Sequence, residues 1–161
     1  MKATIRSTPK LIATLLSAAL LQSQPLQASE APHSMISVSS GIALERKKSG
    51  DEDAYAIGME YEYRSSELWG VGGAVEWLGD DVVRNASIAA LLSFHPVGGL
   101  RLFGGPGIEF TDTKDKAMLR VGAGYEFQVS EHWFIAPEVF GEFIESGDRI
   151  YSGCIAVGYI F

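Results

Sequence analysis

The sequence is poor in several features, and each scarcity narrows the possible folds and functions. Its 161 residues include one cysteine, Cys154, so no disulfide can form within the chain. It has 13 Lys and Arg against 20 Asp and Glu, and this acidic balance argues against nucleic-acid binding, which needs a basic surface. After residue 30, no uncharged stretch approaches the roughly 18 apolar residues of a membrane-spanning helix. These absences exclude a disulfide-framed protein and a helical membrane protein.

The first 28 residues have the three parts of a secretory signal peptide. Lys2, Arg6 and Lys10 precede an uncharged apolar run at residues 11–21, and a polar segment ends at Ala28. The run lacks the periodicity of an amphipathic first helix. We therefore predict cleavage after Ala28, with a signal peptide at 1–28 and one domain at 29–161. The exported domain would keep ten basic and 20 acidic residues, a net charge of −10.

From residue 35 onward, apolar and polar residues alternate in segments separated by short polar interruptions. Residues 55–64 show it best, because Tyr55, Ile57, Met59, Tyr61 and Tyr63 alternate with small or charged residues. A period of two predicts β-strands with one apolar and one polar face. The predicted strands are 35–45, 54–64, 68–78, 86–95, 100–110, 117–128, 132–143 and 150–161. These eight strands leave room for neither a helical segment nor a second domain.

The side to which the apolar face turns decides between two architectures. A soluble sandwich or lipocalin-like barrel would bury this face, whereas a membrane barrel would turn it toward lipid. The apolar face holds 14 of the 17 aromatic residues. The interior of an eight-stranded barrel is barely wide enough for side chains. The aromatic residues therefore fit better outside, and we predict an eight-stranded antiparallel up-and-down transmembrane β-barrel.

The positions of the aromatic residues along the strands support the same fold. They concentrate near the two ends of the strands, as in the aromatic girdles of membrane barrels. Strands of about ten residues, at about 3.3 Å per residue and tilted about 40°, span roughly the 25 Å of the apolar band. The predicted girdle at the Phe161 end contains Tyr63, Trp69, Phe94, Phe127, Trp133, Tyr159 and Phe161, and the predicted girdle at the opposite end contains Tyr55, Trp77, Phe110, Phe143 and Tyr151.

Two segments give the sequence a family resemblance. Residues 155–161, IAVGYIF, end in alternating apolar residues and a terminal Phe, and residues 122–143 read GAGYEFQVSEHWFIAPEVFGEF. With these features, residues 34–161 resemble the small outer-membrane β-barrels of Gram-negative bacteria, of the OmpA/OmpX and porin-like type. The resemblance implies a location in the bacterial outer membrane. It also implies that the barrel-assembly machinery recognises the last strand through Tyr159 and Phe161.

The inward face is predicted to carry a charge network, because a charge in a narrow lumen must be paired or hydrated. Pairing strands six and seven symmetrically about their turn places Arg120 opposite Phe140, diagonal to Glu138 and Glu142, with Glu109 reaching it from strand five. We predict a network centred on Arg120. The predicted network contains Glu60, Glu62, Glu76, Arg101, Glu109, Arg120, Glu126, Glu138 and Glu142.

Three functions are compatible with this interior. We favour a structural or interaction barrel with a lumen plugged by side chains, among them Phe103, Phe134 and Phe140. The first alternative is a narrow porin-like channel. The second is a lipid A-modifying enzyme, as in some similar barrels. Such an enzyme needs a nucleophile or base near the outer rim. The three histidines, His33, His95 and His132, all fall at the Phe161 rim, which the resemblance makes periplasmic.

The sequence predicts no catalytic, cofactor-binding or metal-binding residue. Cys154 points inward as a small packed thiol, and His132, near Glu126, is interpreted as a lumen residue. The expected partners are outer-membrane lipid, lipopolysaccharide and the assembly machinery. The chain is expected to be a monomer. The first outer loop carries Arg46, Lys47 and Lys48, which are candidates for contact with lipopolysaccharide phosphates, although solvated charges explain them as well.

Overall fold

The computed structural model describes residues 32–47, 50–79, 86–111 and 114–161. The predicted signal peptide lies outside the described residues. No helix in the described part is long and apolar enough to cross a membrane. The strands are β1 His33–Lys47, β2 Gly50–Arg64, β3 Trp69–Leu78, β4 Ala86–Val97, β5 Leu100–Phe110, β6 Lys116–Tyr125, β7 Phe127–Gln128, β8 Trp133–Ile144 and β9 Arg149–Ile160.

The strands close into a barrel. Consecutive strands from β1 to β6 pair antiparallel, β6 and β7 both pair with β8, and β8 pairs with β9. The ring closes where β1 pairs with β9, from Met35 opposite Ile160 to Arg46 opposite Arg149. Because β6 and β7 follow each other along one side of β8, the barrel has eight strands. The predicted eight-stranded antiparallel barrel is confirmed.

The predicted strand at 117–128 is interrupted, and a proline explains the interruption. Gly124 pairs with Glu138 before the break and Phe127 pairs with Ile135 after it, in the same register. Pro137 would face Tyr125 in this register. Since proline has no backbone N–H, the ladder cannot continue there. The Glu126 N–H instead donates to the Gly99 carbonyl at 2.7 Å, toward the neighbouring hairpin.

The connections between strands have two to four residues at the Phe161 end and two to seven at the opposite end, where residues 79–85 join β3 to β4. The end that holds Phe161 has short turns, of which Gly98 and Gly99 between β4 and β5 are the shortest. Gly99 has a φ of 79°, which glycine adopts without strain in a two-residue hairpin. The first strand and the residue after the last strand meet at this rim, where Ser34 and Phe161 exchange two backbone hydrogen bonds of 2.9 Å.

The apolar face of the strands points outward. On β2, Tyr55, Ile57 and Met59 are 41–51% exposed, while Ala56 and Glu62 are buried. The same alternation runs through β4 and β9. Only side chains on the inward phase form the interior, where Phe103 and Phe134 are buried and Phe140 is half-buried. The prediction that the apolar residues coat the outside of the barrel is confirmed.

Candidate functional site

The inward-facing charged residues meet inside the barrel and make its interior the candidate site. Glu62, Glu126 and Glu142 are no more than 2% exposed, and Arg101 and Arg120 are 3% and 4% exposed. Ionised groups buried this deeply require partners of opposite charge or hydrogen-bond donors. The structure supplies these partners in two clusters, whose central arginines lie on either side of a pair of phenylalanine rings.

The first cluster, which we call the Arg120 cluster, consists of Arg120, Glu76, Glu142, Ser87 and Ser152. Arg120 Nη2 donates to Glu76 Oε2 at 2.6 Å, and Arg120 Nε donates to Glu142 Oε1 at 3.0 Å. Ser87 accepts from Arg120 Nη2 at 3.0 Å and donates to Glu142 at 3.2 Å. Ser152 donates to Glu76 at 3.3 Å. One guanidinium thus binds two buried carboxylates. The hydroxyl groups of Ser87 on β4 and Ser152 on β9 each donate a hydrogen bond to one of these carboxylates.

The second cluster, which we call the Arg101 cluster, is larger and lies nearer the Phe161 end. Its members are Arg64, Arg101, Glu60, Glu62, Glu126, Glu138, Ser93 and His95. Arg101 pairs with Glu60 and lies 3.3 Å from Glu138 Oε1 through Nη1. Its Nε lies 2.9 Å from Glu62 Oε2 in an ion pair without hydrogen-bond geometry. One guanidinium therefore contacts three carboxylates, two from β2 and one from β8.

Arg64 and His95 complete the Arg101 cluster. Arg64 Nε donates to Glu62 Oε1 at 3.0 Å, and Arg64 Nη2 lies 2.5 and 2.6 Å from the two oxygens of Glu126. His95 Nε2 lies 2.8 Å from Glu62 Oε1. Glu62 consequently contacts two guanidinium groups and one imidazole. This shared carboxylate ties β2, β4 and β5 together across the interior.

Phe103 and Phe140 lie between Arg101 and Arg120. Their ring centroids are 6.3 Å apart, with Arg101 Cζ 4.5 Å from the Phe103 centroid and Arg120 Cζ 4.6 Å from the Phe140 centroid. Each arginine thus makes a cation–π contact with one ring. Gly122 leaves room for both rings, because a Cβ there would lie 2.5 Å from Phe140 Cβ and 2.6 Å from Phe103 Cζ. We call Phe103 and Phe140 the aromatic plug.

Little space remains around this plug. A cavity of about 20 Å³ lies inside the barrel, lined in part by Ser37, Ser39, Glu60, Glu76 and Glu138. A volume of this size holds about one water molecule. The larger depressions lie between outward-facing side chains, such as the one of about 640 Å³ between Tyr61, Val75 and Ile108. The interior cavity therefore does not form an open path between the two ends.

The partners predicted for Arg120 are partly wrong. Arg120 pairs directly opposite Glu142, and Phe140 lies opposite Gly122. The prediction placed the centre of the hairpin at Ser130, whereas the observed register is centred on Glu131, which shifts every pairing by two residues. Glu138 instead pairs with Arg101. Glu109 lies 3.3 Å from Lys116 Nζ.

The structure adds residues that the predicted network omitted. Arg64, Ser87, His95 and Lys116 contact its carboxylates, and Ser93 accepts hydrogen bonds from Arg101. The alternation itself contains the signal for all of these except Lys116, since each lies on the inward phase of its strand. His132, which was interpreted as a lumen residue, is exposed and packs on Tyr159 with centroids 5.5 Å apart. His95 occupies the lumen instead.

The aromatic residues assigned to the girdles lie on the outer surface near the two rims. At the Phe161 end, Trp69 packs on Phe94 at 4.8 Å between ring centroids. At the same end, Tyr159 contacts Trp133 at 5.2 Å and Phe161 at 6.4 Å. Tyr55, Phe110 and Tyr151 are exposed at the opposite end. This arrangement places amphipathic rings at two levels on either side of an aliphatic band.

The chemistry available in the interior is that of ion pairing. Among the described residues, no group of three or more His, Cys, Asp or Glu has the arrangement of a metal site. Cys154 is a buried free thiol whose Sγ lies 4.0 Å from Glu138 Oε2. Opposite charges and cation–π contacts link five strands of the barrel, β2, β3, β5, β6 and β8, through the two clusters. The arrangement can brace and fill the barrel.

Comparisons with known proteins agree with this architecture. Ail, the attachment invasion locus protein of Yersinia pestis, superposes with a TM-score of 0.61 at 18% identity, over 83% of this chain and all of Ail. Neisserial surface protein A gives 0.57 at 11% identity, over 78% of this chain and 96% of that one. The N-terminal β-barrel domain of Pseudomonas aeruginosa OprF gives 0.57 at 17% identity, over 79% and 97%.

Sequence comparison identifies the family. No curated protein matches the chain. A family model described as outer membrane protein beta-barrel domain matches residues 13–140, which is well over half of the sequence. The closed eight-stranded barrel and its apolar coat agree with that match. The chain belongs to the outer membrane protein beta-barrel domain family and is a β-barrel protein of the bacterial outer membrane.

Proposed function

We propose that this protein is a monomeric structural or interaction barrel whose lumen is closed by its own side chains. The carrying observation is the blockage of the interior by the Arg101 cluster, the aromatic plug and the Arg120 cluster. The cavity left among them has about 20 Å³. An ion crossing this barrel would have to separate buried ion pairs. Separating them is costly, because each buried charge would lose its partner.

The orientation of the barrel is inferred from its two longest connections, residues 79–85 and 111–115, which lie at the end opposite Phe161. In outer-membrane barrels the short turns face the periplasm and the longer loops face outward. We therefore place the Phe161 end in the periplasm, where Tyr159 and Phe161 would be available to the barrel-assembly machinery. The segment before the barrel, residues 1–28, would serve as the cleaved signal peptide. The exposed aliphatic band between the girdles would contact membrane lipid.

The positions of the histidines favour a non-enzymatic role. An enzyme that modifies lipid A in the outer leaflet needs a base near the outer rim. His33 and His95 lie at the periplasmic end of their strands, and His132 lies in the turn beside Trp133. His95 is also engaged with Glu62 at 2.8 Å. These three residues are a barrel length away from the outer leaflet.

Conductance in planar lipid bilayers tests the plugged lumen. We expect the wild-type protein to give no unitary steps. The double variant Phe103→Ala/Phe140→Ala should conduct, because it empties the space of both rings and removes the surfaces on which the Arg101 and Arg120 guanidinium groups rest. The matched control, Phe110→Ala/Phe143→Ala, removes two lipid-facing rings and should stay silent. Stable cation-selective steps from the wild type would contradict the proposal and support the narrow channel.

A further inference from the structure

Two arginines face outward side by side where the ring of strands closes. Arg46 on β1 and Arg149 on β9 are direct cross-strand partners, and both are exposed. Each arginine lies two residues from an exposed residue of the same strand, Leu44 on β1 and Tyr151 on β9, and so points outward like it. Leu44 and Tyr151 are themselves direct cross-strand partners. Like charges directly opposite each other on a sheet repel and destabilise the pairing. The protein therefore tolerates a concentrated positive charge on its outer surface at this point.

Few contacts within the barrel offset this charge. Arg46 Nη1 lies 3.1 Å from Asp51 in an ion pair whose side chains are 61% and 64% exposed. Such solvated pairs are weak. Arg149 forms no ion pair within the described residues and stands over the Phe143 ring at 5.9 Å. Glu145 also lies at this rim, but no ion pair joins it to Arg149. Most of the donor capacity of both guanidinium groups thus remains available.

The depth of the pair identifies the kind of ligand. Tyr151 belongs to the outer girdle, and Arg149 lies two residues farther along the strand, about 7 Å beyond it. Girdle rings sit at the boundary between the acyl chains and the headgroups. The arginines consequently stand at headgroup level in the outer leaflet. Guanidinium groups bind phosphate with paired, charge-assisted hydrogen bonds.

We propose that Arg46 and Arg149 form a binding site for a phosphate group of lipid A, the anchor of lipopolysaccharide in the outer leaflet. This inference rests on the orientation given under the proposed function. It differs from the sequence-based expectation, which pointed to Arg46, Lys47 and Lys48; Lys48 lies outside the described residues. The site takes one residue from the first strand and one from the last strand, and the two residues meet because the pairing of β1 with β9 closes the barrel.

Retention of lipid tests the site. The barrel would be folded in phosphatidylcholine nanodiscs containing diphosphorylated lipid A, extracted into detergent, and its bound lipid A measured by native mass spectrometry. We expect Arg46→Gln/Arg149→Gln to lower retention about tenfold and Arg149→Gln alone about threefold, because charge-assisted contacts to phosphate are lost. The control Lys114→Gln removes an exposed charge from the same end and should retain lipid A like the wild type. Heat-modifiable gel migration would verify that every variant is folded.

Two further arms identify the source of the phosphate. Nanodiscs with phosphatidylglycerol in place of lipid A should give weak retention that the double variant leaves unchanged, and inorganic phosphate should not displace lipid A. Equal retention of phosphatidylglycerol and lipid A by the wild type would overturn the proposal, as would unchanged lipid A retention by the double variant. The outcome is independent of conductance, so a conducting wild type would reject the plugged lumen without affecting this test.

Discussion

The Arg120 cluster and the Arg101 cluster solve the same physical problem with different degrees of redundancy. In the described part of the barrel, Glu76 and Glu142 pair with one cation, Arg120. Glu62 in the Arg101 cluster contacts Arg64, Arg101 and His95. A buried carboxylate with several cationic partners is still paired when one of them is removed, whereas a carboxylate with a single partner is left as an unpaired buried charge. The comparison teaches that the number of cations a carboxylate contacts, rather than burial alone, sets how vulnerable that carboxylate is. In the described part of the Arg101 cluster this redundancy belongs to Glu62, since Glu60 and Glu138 pair with Arg101 and Glu126 pairs with Arg64.

The largest effect is expected from Arg120→Gln. This change leaves Glu76 and Glu142 buried without a cation, and loss of one partner from a buried pair costs about 3–5 kcal/mol. The free energy of unfolding would be measured by urea titration of the protein in phospholipid vesicles. An effect below about 1 kcal/mol, in the range of exposed pairs, would show that water already screens the cluster.

Adding Glu142→Gln to Arg120→Gln should recover part of this loss. The second substitution removes one of the stranded charges and keeps a hydrogen-bonding group at the same place. We expect the double variant to be about 1–2 kcal/mol more stable than Arg120→Gln alone, as a positive coupling energy between residues in contact. If the two losses simply add, Arg120 and Glu142 do not interact energetically in the folded barrel.

The packing of the aromatic plug can be tested at Gly122. Gly122→Ala forces a methyl group against Phe103 and Phe140, and overpacking of this kind costs about 1–3 kcal/mol. Gly153→Ala on β9 is the control, because a Cβ there meets no atom within 4 Å. Equal urea midpoints for the two variants would indicate that the plug is loosely packed.

The smallest effect should come from Glu62, the carboxylate with several partners. His95→Ala removes one contact to Glu62, which keeps Arg64 at 3.0 Å and Arg101 at 2.9 Å. We expect a loss of about 0.5–1.5 kcal/mol in the free energy of unfolding, typical of one net hydrogen bond, because both guanidinium partners of Glu62 remain. A loss as large as that of Arg120→Gln would refute the explanation by redundancy.

The interior shows how far the sequence could predict the site. Strict alternation assigned Glu62, Arg101 and Arg120 to the lumen, because a period of two fixes the face of each residue. The same pattern could not give their partners. The register of β6 against β8 depends on the turn near Glu131, and misplacing its centre by one residue exchanged Glu142 for Phe140 opposite Arg120.

The assignment of His132 to the lumen failed for a related reason. His95 and His132 both lie near the Phe161 rim in the sequence, but one belongs to a strand and the other to a turn. His95 inherits the inward phase of β4 and reaches Glu62, whereas His132 lies in the turn before β8 and stacks on Tyr159. Alternation predicts direction within a strand, and it gives no information where the strand ends.

The sequence by itself determined that this protein is an eight-stranded barrel with its apolar face in lipid and its charges inside, because alternation and aromatic placement are local properties of each strand. Only the tertiary structure decided which charges meet, that two clusters flank an aromatic plug, and that Arg46 and Arg149 stand together. Those contacts join residues 22 to 103 positions apart. They depend on strand register and barrel closure, which couple the whole chain at once.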